Sequence, residues 1–235
     1  MTNIYCWAAT HVGRVRDQNE DALAVSAAFE LSSAGTWEGQ LAGERAWAVV
    51  ADGMGGHAAG EVASRLAIEV MVPFLDECSS ADDLPTALAS VDWAIRQAMV
   101  QEPSLKGMGT TICGVFALHN KMSVFNIGDS KIHFWNAGEL RQLSEDHVVH
   151  GHVLTQCLGG SSQGRTLAPC IVTEPLPSDA RLLLSSDGLT DLVPDDQIQD
   201  ILGSSDRPAE ELVGAALTAG GHDNITAVVL QFEPS

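Results

Sequence analysis

Apolar residues recur along the chain at two different spacings, and each spacing predicts a type of secondary structure. Apolar positions three and four residues apart predict helices, whereas short continuous or alternating apolar runs predict strands. The polar segment 26–44 is expected to be a hairpin loop. One helix is predicted over 58–78, and a second begins at residue 80 and has its apolar residues between Leu84 and Met99. Further helices are predicted over 148–158, 195–202 and 209–219. Strands are predicted over 4–10, 22–25, 46–51, 110–118, 123–127, 131–135, 171–174, 180–185 and 225–232.

The order of these elements favours an α+β fold in which helices cover mainly antiparallel sheets. The turns at 119–121 and 136–138 are too short for the crossovers that parallel strands require. Each helix must bury its apolar stripe against a sheet, which predicts a layered arrangement. Ser80 and Asp83 resemble a capping box at the start of the second helix. With no repeat or linker-like segment, residues 1–235 are expected to form a single domain.

The composition is that of an ordinary packed protein, but the charge is strongly acidic. The 31 Asp and Glu residues exceed the 12 Lys and Arg residues and give a net charge of −19. Nucleic acid is not an expected partner, because phosphate backbones require cationic surfaces. No apolar run approaches the roughly 20 residues of a membrane span, and no signal peptide is evident. Five scattered cysteines without a CxxC pair fit free thiols, so the protein is expected in the cytoplasm.

Acidic residues stand beside small or turn-forming residues at five predicted strand ends. Each could simply belong to a turn, because Asp next to Gly or Asn is common in turns. Asp52 and Asp187, however, follow apolar strands directly, where several converging carboxylates would repel one another unless cations neutralised them. The five positions are Glu20-Asp21, Asp52-Gly53, Gly128-Asp129-Ser130, Asp187-Gly188 and Asp223-Asn224.

A set of oxygen ligands alone predicts Mg²⁺ or Mn²⁺ rather than Zn²⁺. Two such ions about 3.5–4 Å apart can lower the pKa of a shared water and present hydroxide to phosphorus. Arg16, four residues before Glu20, is suited to bind phosphate oxygens with two parallel hydrogen bonds, although its position also fits a surface arginine.

Six motifs follow one another along the chain. They are Arg16-x-x-Asn19-Glu20-Asp21, Asp52-Gly53-Met54-Gly55-Gly56, Met108-Gly109-Thr110-Thr111, Asn126-Ile127-Gly128-Asp129-Ser130, Ser186-Asp187-Gly188-Leu189-Thr190-Asp191 and Asp223-Asn224-Ile225-Thr226. In this order they resemble the motifs of the metal-dependent (PPM, or type 2C) serine/threonine protein phosphatases, especially the bacterial branch. The similarity extends from about Ala9 to Leu230.

The resemblance implies a four-layer αββα sandwich that holds two Mn²⁺ or Mg²⁺ ions at the loop ends of its two sheets. In that family arrangement Asp52 bridges both ions and the Gly53 carbonyl contributes to their binding. Glu20 serves one ion, while Asp187 and Asp223 serve the other.

The resemblance also implies the remaining roles at the site. Asp21 would orient the attacking water, and Arg16 would hold the substrate phosphate. A weaker third metal site would use Asp129, Asp187 and Asp191. The implied reaction is direct attack of hydroxide on the phosphorus of phosphoserine or phosphothreonine, without a phosphoenzyme.

The sequence departs from the family pattern at three places. Met54 stands where eukaryotic members have a candidate acid histidine, and His57 is not its equivalent. Lys131 replaces the usual Arg after Gly-Asp-Ser, which is expected to be a structural change. Between residues 146 and 160 the chain has almost none of the flap that bacterial relatives insert, so the metal cleft is expected to be more open.

Three functional hypotheses follow from these residues. The first is an active, monomeric phosphatase that acts on phosphorylated proteins and opposes a Ser/Thr kinase, similar to stand-alone phosphatases of type VI secretion regulation. The second is a catalytically weak or inactive binding module of the same fold. The third is a calcium-binding or nucleotide-binding protein, against which the sequence has neither a twelve-residue calcium loop nor a phosphate-binding Gly-Lys-Ser/Thr loop.

Overall fold

The computed structural model describes residues 3–26, 29–31, 34–41, 45–55, 59–149, 153–160 and 166–233. Two long helices occupy the first half of the chain, and three shorter ones follow in the second half. A 3₁₀ turn at Ala81–Asp83 precedes the second helix, and the capping box between Ser80 and Asp83 is confirmed. The helices are α1 (Ala59–Glu77), α2 (Leu84–Gln101), α3 (Asp187–Thr190), α4 (Asp195–Ser204) and α5 (Pro208–Thr218).

Sixteen strands within these described ranges form two large antiparallel sheets and one small hairpin. In the first half of the chain they are β1 (Ile4–His11), β2 (Asp21–Val25), β3 (Phe29–Leu31), β4 (Gly35–Leu41), β5 (Arg45–Met54), β6 (Gly109–Thr110), β7 (Ile112–Leu118) and β8 (Lys121–Ile127). The second half contributes β9 (Lys131–Asn136), β10 (Glu139–Gln142), β11 (Val148–Val149), β12 (Val153–Leu154), β13 (Leu158–Gly159), β14 (Cys170–Pro175), β15 (Ala180–Ser185) and β16 (Ile225–Phe232).

The two sheets are built from strands that are far apart in sequence. The first sheet has the order β10-β9-β15-β16-β1-β4. In the second sheet β14, β8, β7, β5, β2 and β3 are neighbours in that order, and the short strands β6 and β13 extend the end of β5. The expected antiparallel arrangement is therefore confirmed, since every strand pair is antiparallel.

Three apolar cores separate four layers, which confirms the αββα sandwich. Helices α1 and α2 cover the second sheet, the sheets pack against each other, and α3, α4 and α5 cover the first sheet. Strand β5 illustrates the two-residue period: Val49 faces the α1–α2 core, whereas Val50 faces the core between the sheets. Strand β15 divides in the same way, with Leu184 between the sheets and Leu183 against the helices.

Two of the predicted elements are wrong. Segment 26–44 is not simply a loop, because its described part contains β3, paired with β2, and β4, paired with β1. Segment 148–158 contains no helix in its described residues: β11 pairs with β12, and β13 pairs with β6. In both cases backbone groups of another strand offer hydrogen bonds that the local pattern does not reveal. The strand predicted over 225–232 coincides with β16.

No helix in the described ranges is long and apolar enough to cross a membrane. Cys6 and Cys113 are buried free thiols, and Cys78 and Cys170 are free and partly buried.

Candidate functional site

The polar residues of the site continue the apolar core between the sheets. Leu23 and Val25 of β2 face that core, so the two-residue period turns Asp21 to the same side. In β5 the same argument applies to Val50 and Asp52. At one end of the molecule, the inter-sheet layer therefore changes from aliphatic side chains to carboxylates and hydroxyls.

Asp21 and Asp52 are directly opposite each other in the antiparallel pair of β2 and β5. Asp21 is only 2% exposed. The Asp52 backbone is held from one side, because its carbonyl accepts hydrogen bonds from Thr111 N (2.9 Å) and Thr110 Oγ1 (2.8 Å). Its N–H donates to Thr111 Oγ1 (3.2 Å). These contacts fix the direction in which the Asp52 carboxyl leaves the strand.

Asp187 approaches the same point from the first sheet. Its strand, β15, ends at Ser185, and the short helix α3 begins at Asp187 itself. The charge of Asp187 is among those that raise the pKa of Asp52, so the two carboxyl groups are close neighbours. Asp191 lies one turn later, and its N–H donates to the Asp187 carbonyl (2.8 Å).

Asp223 lies on the outer side of the cluster, next to Arg16. Arg16 Nη2 donates to Asp223 Oδ2 (2.6 Å), and both side chains are substantially exposed. Asn224 holds the loop between β1 and β2 in place, because its side-chain amide nitrogen donates to the carbonyls of Val12 (2.9 Å) and Gln18 (2.8 Å). Its Oδ1 accepts from the N–H of Glu20 (2.8 Å). The loop that carries Arg16 and Glu20 is thus fixed against the residue after Asp223.

Glu20 packs against two glycines that leave room for it. The Glu20 carbonyl accepts from Gly53 N (3.1 Å). A Cβ on Gly60 would lie 2.7 Å from the Glu20 carboxyl carbon, so a side chain at this position would displace the carboxylate. A Cβ on Gly53 would lie 2.1 Å from the Gly60 carbonyl oxygen, which cannot move as easily.

Asp129 follows Gly128, whose φ of +110° lies in the left-handed region that glycine favours. His147 holds Gly128 through two hydrogen bonds. The His147 backbone N–H donates to the Gly128 carbonyl (2.9 Å), and the ring atom Nδ1 of His147 accepts from the Gly128 N–H (3.1 Å). Ser130 Oγ is 2.6 Å from Thr111 Oγ1, which connects the loop to Asp52.

The short flap begins at the same place. The carbonyl of His147 accepts from Thr155 N (2.8 Å), and the hairpin of β11 and β12 lies between these residues. Lys131 forms an ion pair with Asp146 (3.2 Å), in keeping with a structural role for this departure from the family pattern. His57 lies outside the described residues.

Burial and mutual repulsion make the inner carboxyl groups hard to ionise. Burial raises the pKa of Asp21 to about 7, and the charges of Asp187 and Asp223 act in the same direction. Hydrogen bonds from Thr226 and Ser186 oppose this shift.

The same causes act on Asp187 and Asp52. Burial raises the pKa of Asp187 to about 6, with the charges of Asp129, Asp223 and Asp191 adding to it. The pKa of Asp52 lies well above its ordinary value, first through burial and then through the charge of Asp21 and the other nearby acids.

The pKa values of the outer acids, Glu20 and Asp129, are raised by burial and lowered by a nearby cation. Burial raises the pKa of Glu20, although the Arg16 charge opposes the shift. Burial also raises the pKa of Asp129, where Asp146 and Asp191 add to the repulsion and Lys131 opposes it.

The donor set fits hard divalent cations. The available ligands are carboxylate and carbonyl oxygens, and Asp21 Oδ1 is buried without a hydrogen-bond partner in the described structure. Within the described ranges, however, no three acidic, histidine or cysteine side chains are already arranged to hold a metal ion.

The structure brings the predicted acids into one electrostatic group, with Asp52 at its centre and Glu20 and Arg16 at its outer side. Sequence reasoning assigned no role to the groups that hold these acids in place. The two-residue period of the strands could have identified several of them, because it turns their side chains toward the same end of the inter-sheet layer. These supporting residues are Thr10, Gly60, Thr111, His147, Ser186, Asn224 and Thr226.

Known proteins resemble this chain in both sequence and fold. A sequence model of the protein phosphatase 2C family matches residues 35–216. Serine/threonine protein phosphatase PstP of Mycobacterium tuberculosis is 32% identical over 237 residues, which cover 92% of this chain but only 43% of PstP. Serine/threonine phosphatase stp of Listeria welshimeri is 30% identical over 251 residues, which cover 94% of this chain and 93% of stp.

Two solved structures illustrate the similarity in fold. The catalytic domain of PstP in complex with two manganese ions aligns with a TM-score of 0.81 and 31% identity, covering 99% of this chain and all of that domain. PppA of Pseudomonas aeruginosa, described as a key regulatory component of the type VI secretion system, aligns with a TM-score of 0.80 and 30% identity, covering 98% of this chain and 99% of PppA.

Proposed function

The chain belongs to the protein phosphatase 2C family, and we propose from this premise that it removes phosphate from phosphoserine and phosphothreonine in proteins with the help of Mn²⁺ or Mg²⁺. One observation carries the proposal: Asp21, Asp52 and Asp187 share a largely buried site in which burial and the charges of neighbouring acids raise their pKa values. Such a group favours bound cations, because divalent ions remove the repulsion that ionisation creates.

The residues that would hold two ions are those at the strand ends. We propose that Asp52 would serve both ions, with the Gly53 carbonyl contributing. Glu20 would hold one ion, and Asp187 with Asp223 would hold the other. A weaker third site would use Asp129, Asp187 and Asp191, which are electrostatic neighbours. When bound, the ions lower the pKa of water and polarise the phosphoryl group. The PstP structure with two manganese ions supports this number of ions.

Arg16 and Asp21 take the two remaining roles. The Arg16 guanidinium is half exposed and lies beside the acids, so it can bind the substrate phosphate through two parallel hydrogen bonds. Asp21 presents a carboxylate oxygen without a protein partner, which can accept a hydrogen bond from the attacking water. The water would attack phosphorus directly, so that a new P–O bond forms while the bond to the serine or threonine oxygen breaks and that oxygen takes up a proton. A cysteine nucleophile is not expected, because burial raises the pKa of the Cys113 thiol far above its ordinary value.

The partners follow from the same assignment. The substrates would be phosphorylated proteins, and a Ser/Thr kinase of opposite activity would supply them. We propose that residues 1–235 act as one domain and as a monomer. The chain spans less than half of PstP, so this proposal concerns the part of PstP that it matches.

Hydrolysis of p-nitrophenyl phosphate and of a phosphothreonine peptide, with and without Mn²⁺, tests the proposal. Activity should require Mn²⁺ and should be lost in Asp52→Asn and Asp187→Asn. Asp200→Asn, at an exposed position of α4, is the matched control and should behave like the wild type. An inactive wild type would instead favour a non-catalytic binding module of the same fold, and cluster variants as active as an active wild type would show that these acids do not carry the reaction.

A further inference from the structure

A chain of hydrogen-bonded side chains runs between the two sheets and ends on Asp21. Asn19 Nδ2 is 2.9 Å from Thr10 Oγ1, Thr10 Oγ1 is 2.7 Å from Thr226 Oγ1, and Thr226 Oγ1 is 2.6 Å from Asp21 Oδ2. Thr10 and Thr226 are paired residues of β1 and β16 in the first sheet, whereas Asp21 belongs to β2 in the second. All four residues are 9% exposed or less.

The direction of every hydrogen bond in this chain is determined by its two ends. The Asp21 backbone N–H can only donate, and it lies 3.3 Å from Asn19 Oδ1, which orients the Asn19 amide. The amide nitrogen then donates to Thr10. Thr10 uses its own hydrogen toward Thr226, and Thr226 donates to the Asp21 carboxylate.

Ser186 supplies a second donor to the same oxygen. Its Oγ accepts from the backbone N–H of Thr226 (3.0 Å), so its hydrogen is available for Asp21 Oδ2 (2.8 Å). One carboxylate oxygen of Asp21 therefore receives two hydroxyl donors. The other oxygen, Oδ1, is buried and has no protein partner in the described structure.

We propose that Asn19, Thr10, Thr226 and Ser186 are positioning residues that hold the Asp21 carboxylate in one rotamer, with Oδ1 alone turned toward the attacking water. This inference rests on the proposed phosphatase function. It assigns to these four residues the work of keeping Oδ1 free, although none of them contacts the water.

The chain orients Asp21 and does not conduct protons. A proton relay needs groups that can both accept and release a proton at every position, whereas this chain ends in an amide nitrogen that can only donate. Its effect is instead to give Oδ2 a fixed set of donors at the boundary between the sheets. Removing one hydroxyl without changing the shape of its side chain would free the carboxylate to rotate toward the remaining donor.

The test compares Thr226→Val with Thr226→Ser, because valine keeps the shape of threonine while serine keeps its hydroxyl. In Mn²⁺-loaded enzyme, kcat should fall about 10–100-fold in Thr226→Val, the range expected for one lost hydrogen bond to a charged group. KM for the phosphopeptide should stay close to the wild-type value, and Thr226→Ser should retain most of the rate. A crystal structure of metal-free Thr226→Val should show a rotated Asp21 carboxylate, with the wild-type rotamer retained in Thr226→Ser.

Thr173→Val is the matched control for the loss of a bonded threonine hydroxyl. Thr173 Oγ1 pairs with Ser123 Oγ (2.8 Å) on β14 and β8, in the half of β8 that is remote from Asp129. This variant should lose some stability but keep its kcat.

The results separate this inference from the function on which it rests. Equal loss of kcat in Thr226→Val and Thr226→Ser, or an unchanged Asp21 rotamer in Thr226→Val, would overturn the positioning role. An inactive wild type would refute the phosphatase function, and the Asp21 rotamers in the three crystal structures would then decide for or against the positioning role by themselves.

Discussion

Asp21 and Asp52 are opposite each other across β2 and β5, so a buried acid and a partly buried one stand side by side at the end of the inter-sheet layer. Like charges on directly paired residues of neighbouring strands destabilise a sheet. Here the repulsion adds to the cost of burial, and the pKa values of both carboxyl groups are raised. The metal-free fold therefore contains an electrostatic strain that depends on pH.

The metal-free protein should be less stable at pH 8 than at pH 5. Asp21 has a folded pKa of about 7 and Asp187 one of about 6, both above the unfolded value near 4. Between pH 4 and pH 7 the folded state binds more protons than the unfolded state, so the free energy of unfolding falls as the pH rises. Urea unfolding in EDTA at pH 5 and pH 8 measures this difference.

Added Mn²⁺ should remove most of that pH dependence, because the ions replace the protons that neutralise the cluster. Asp21→Asn should reduce the dependence even without metal. A metal-free wild type that is equally stable at both pH values would show that the carboxyl groups are not strained by one another.

Gly60→Ala should weaken metal binding without destabilising the fold. The added Cβ would lie 2.7 Å from the Glu20 carboxyl carbon, and the flexible end of that side chain can move away. Alanine in a helix is about 1 kcal/mol more favourable than glycine, so the free energy of unfolding should not fall. Calorimetric titration with Mn²⁺ should show a lower affinity.

Gly214→Ala in α5 is the matched control, since nothing lies within 4 Å of its added Cβ. It should gain stability and bind Mn²⁺ like the wild type. Equal Mn²⁺ affinity in both variants would contradict the assignment of Glu20 as a metal ligand.

Arg16→Ala should raise KM for the phosphopeptide about tenfold or more and hardly change stability. The Arg16–Asp223 ion pair is exposed on both sides, and exposed pairs contribute about 0–1 kcal/mol. Arg16→Lys should recover only part of the affinity, because an ammonium group cannot bind phosphate through a planar pair of donors. Steady-state kinetics and thermal unfolding of the two variants separate binding from stability.

Thr111→Val should lower the free energy of unfolding by about 2–6 kcal/mol. The substitution leaves both the Asp52 N–H and the buried Ser130 hydroxyl without their partner, and each unsatisfied buried group costs about 1–3 kcal/mol. Ser130→Ala removes one group of the same pair and should cost less. If the double variant with Ser130→Ala were no more stable than Thr111→Val, the unsatisfied hydroxyl would not be the cause.

Much of the fold could be predicted from local patterns. The nearly continuous apolar run of 225–232 predicted β16, because a strand between two cores must be apolar on both faces. The prediction of secondary structure failed where a segment forms a strand only by pairing with another strand. A helix-like spacing is found in Val148, Val149, Val153 and Leu154, yet these residues pair as the two short strands β11 and β12. The hydrogen bond from the Thr155 N–H to the His147 carbonyl joins the outer ends of the two strands. The local sequence of Gly35–Leu41 is typical of a loop, but the segment forms a strand because it pairs with the edge of β1.

By itself, the sequence determined which acids would stand at the ends of strands and which family chemistry they resemble, because both follow from residue identity and short-range spacing. Only the tertiary structure decided how those acids are held. The donors to Asp21 come from Ser186 and Thr226, which are 165 and 205 positions away. Strand register and the stacking of two sheets bring them together, and no local pattern encodes that distance. The raised pKa values have the same origin, since burial and repulsion exist only after the chain has folded.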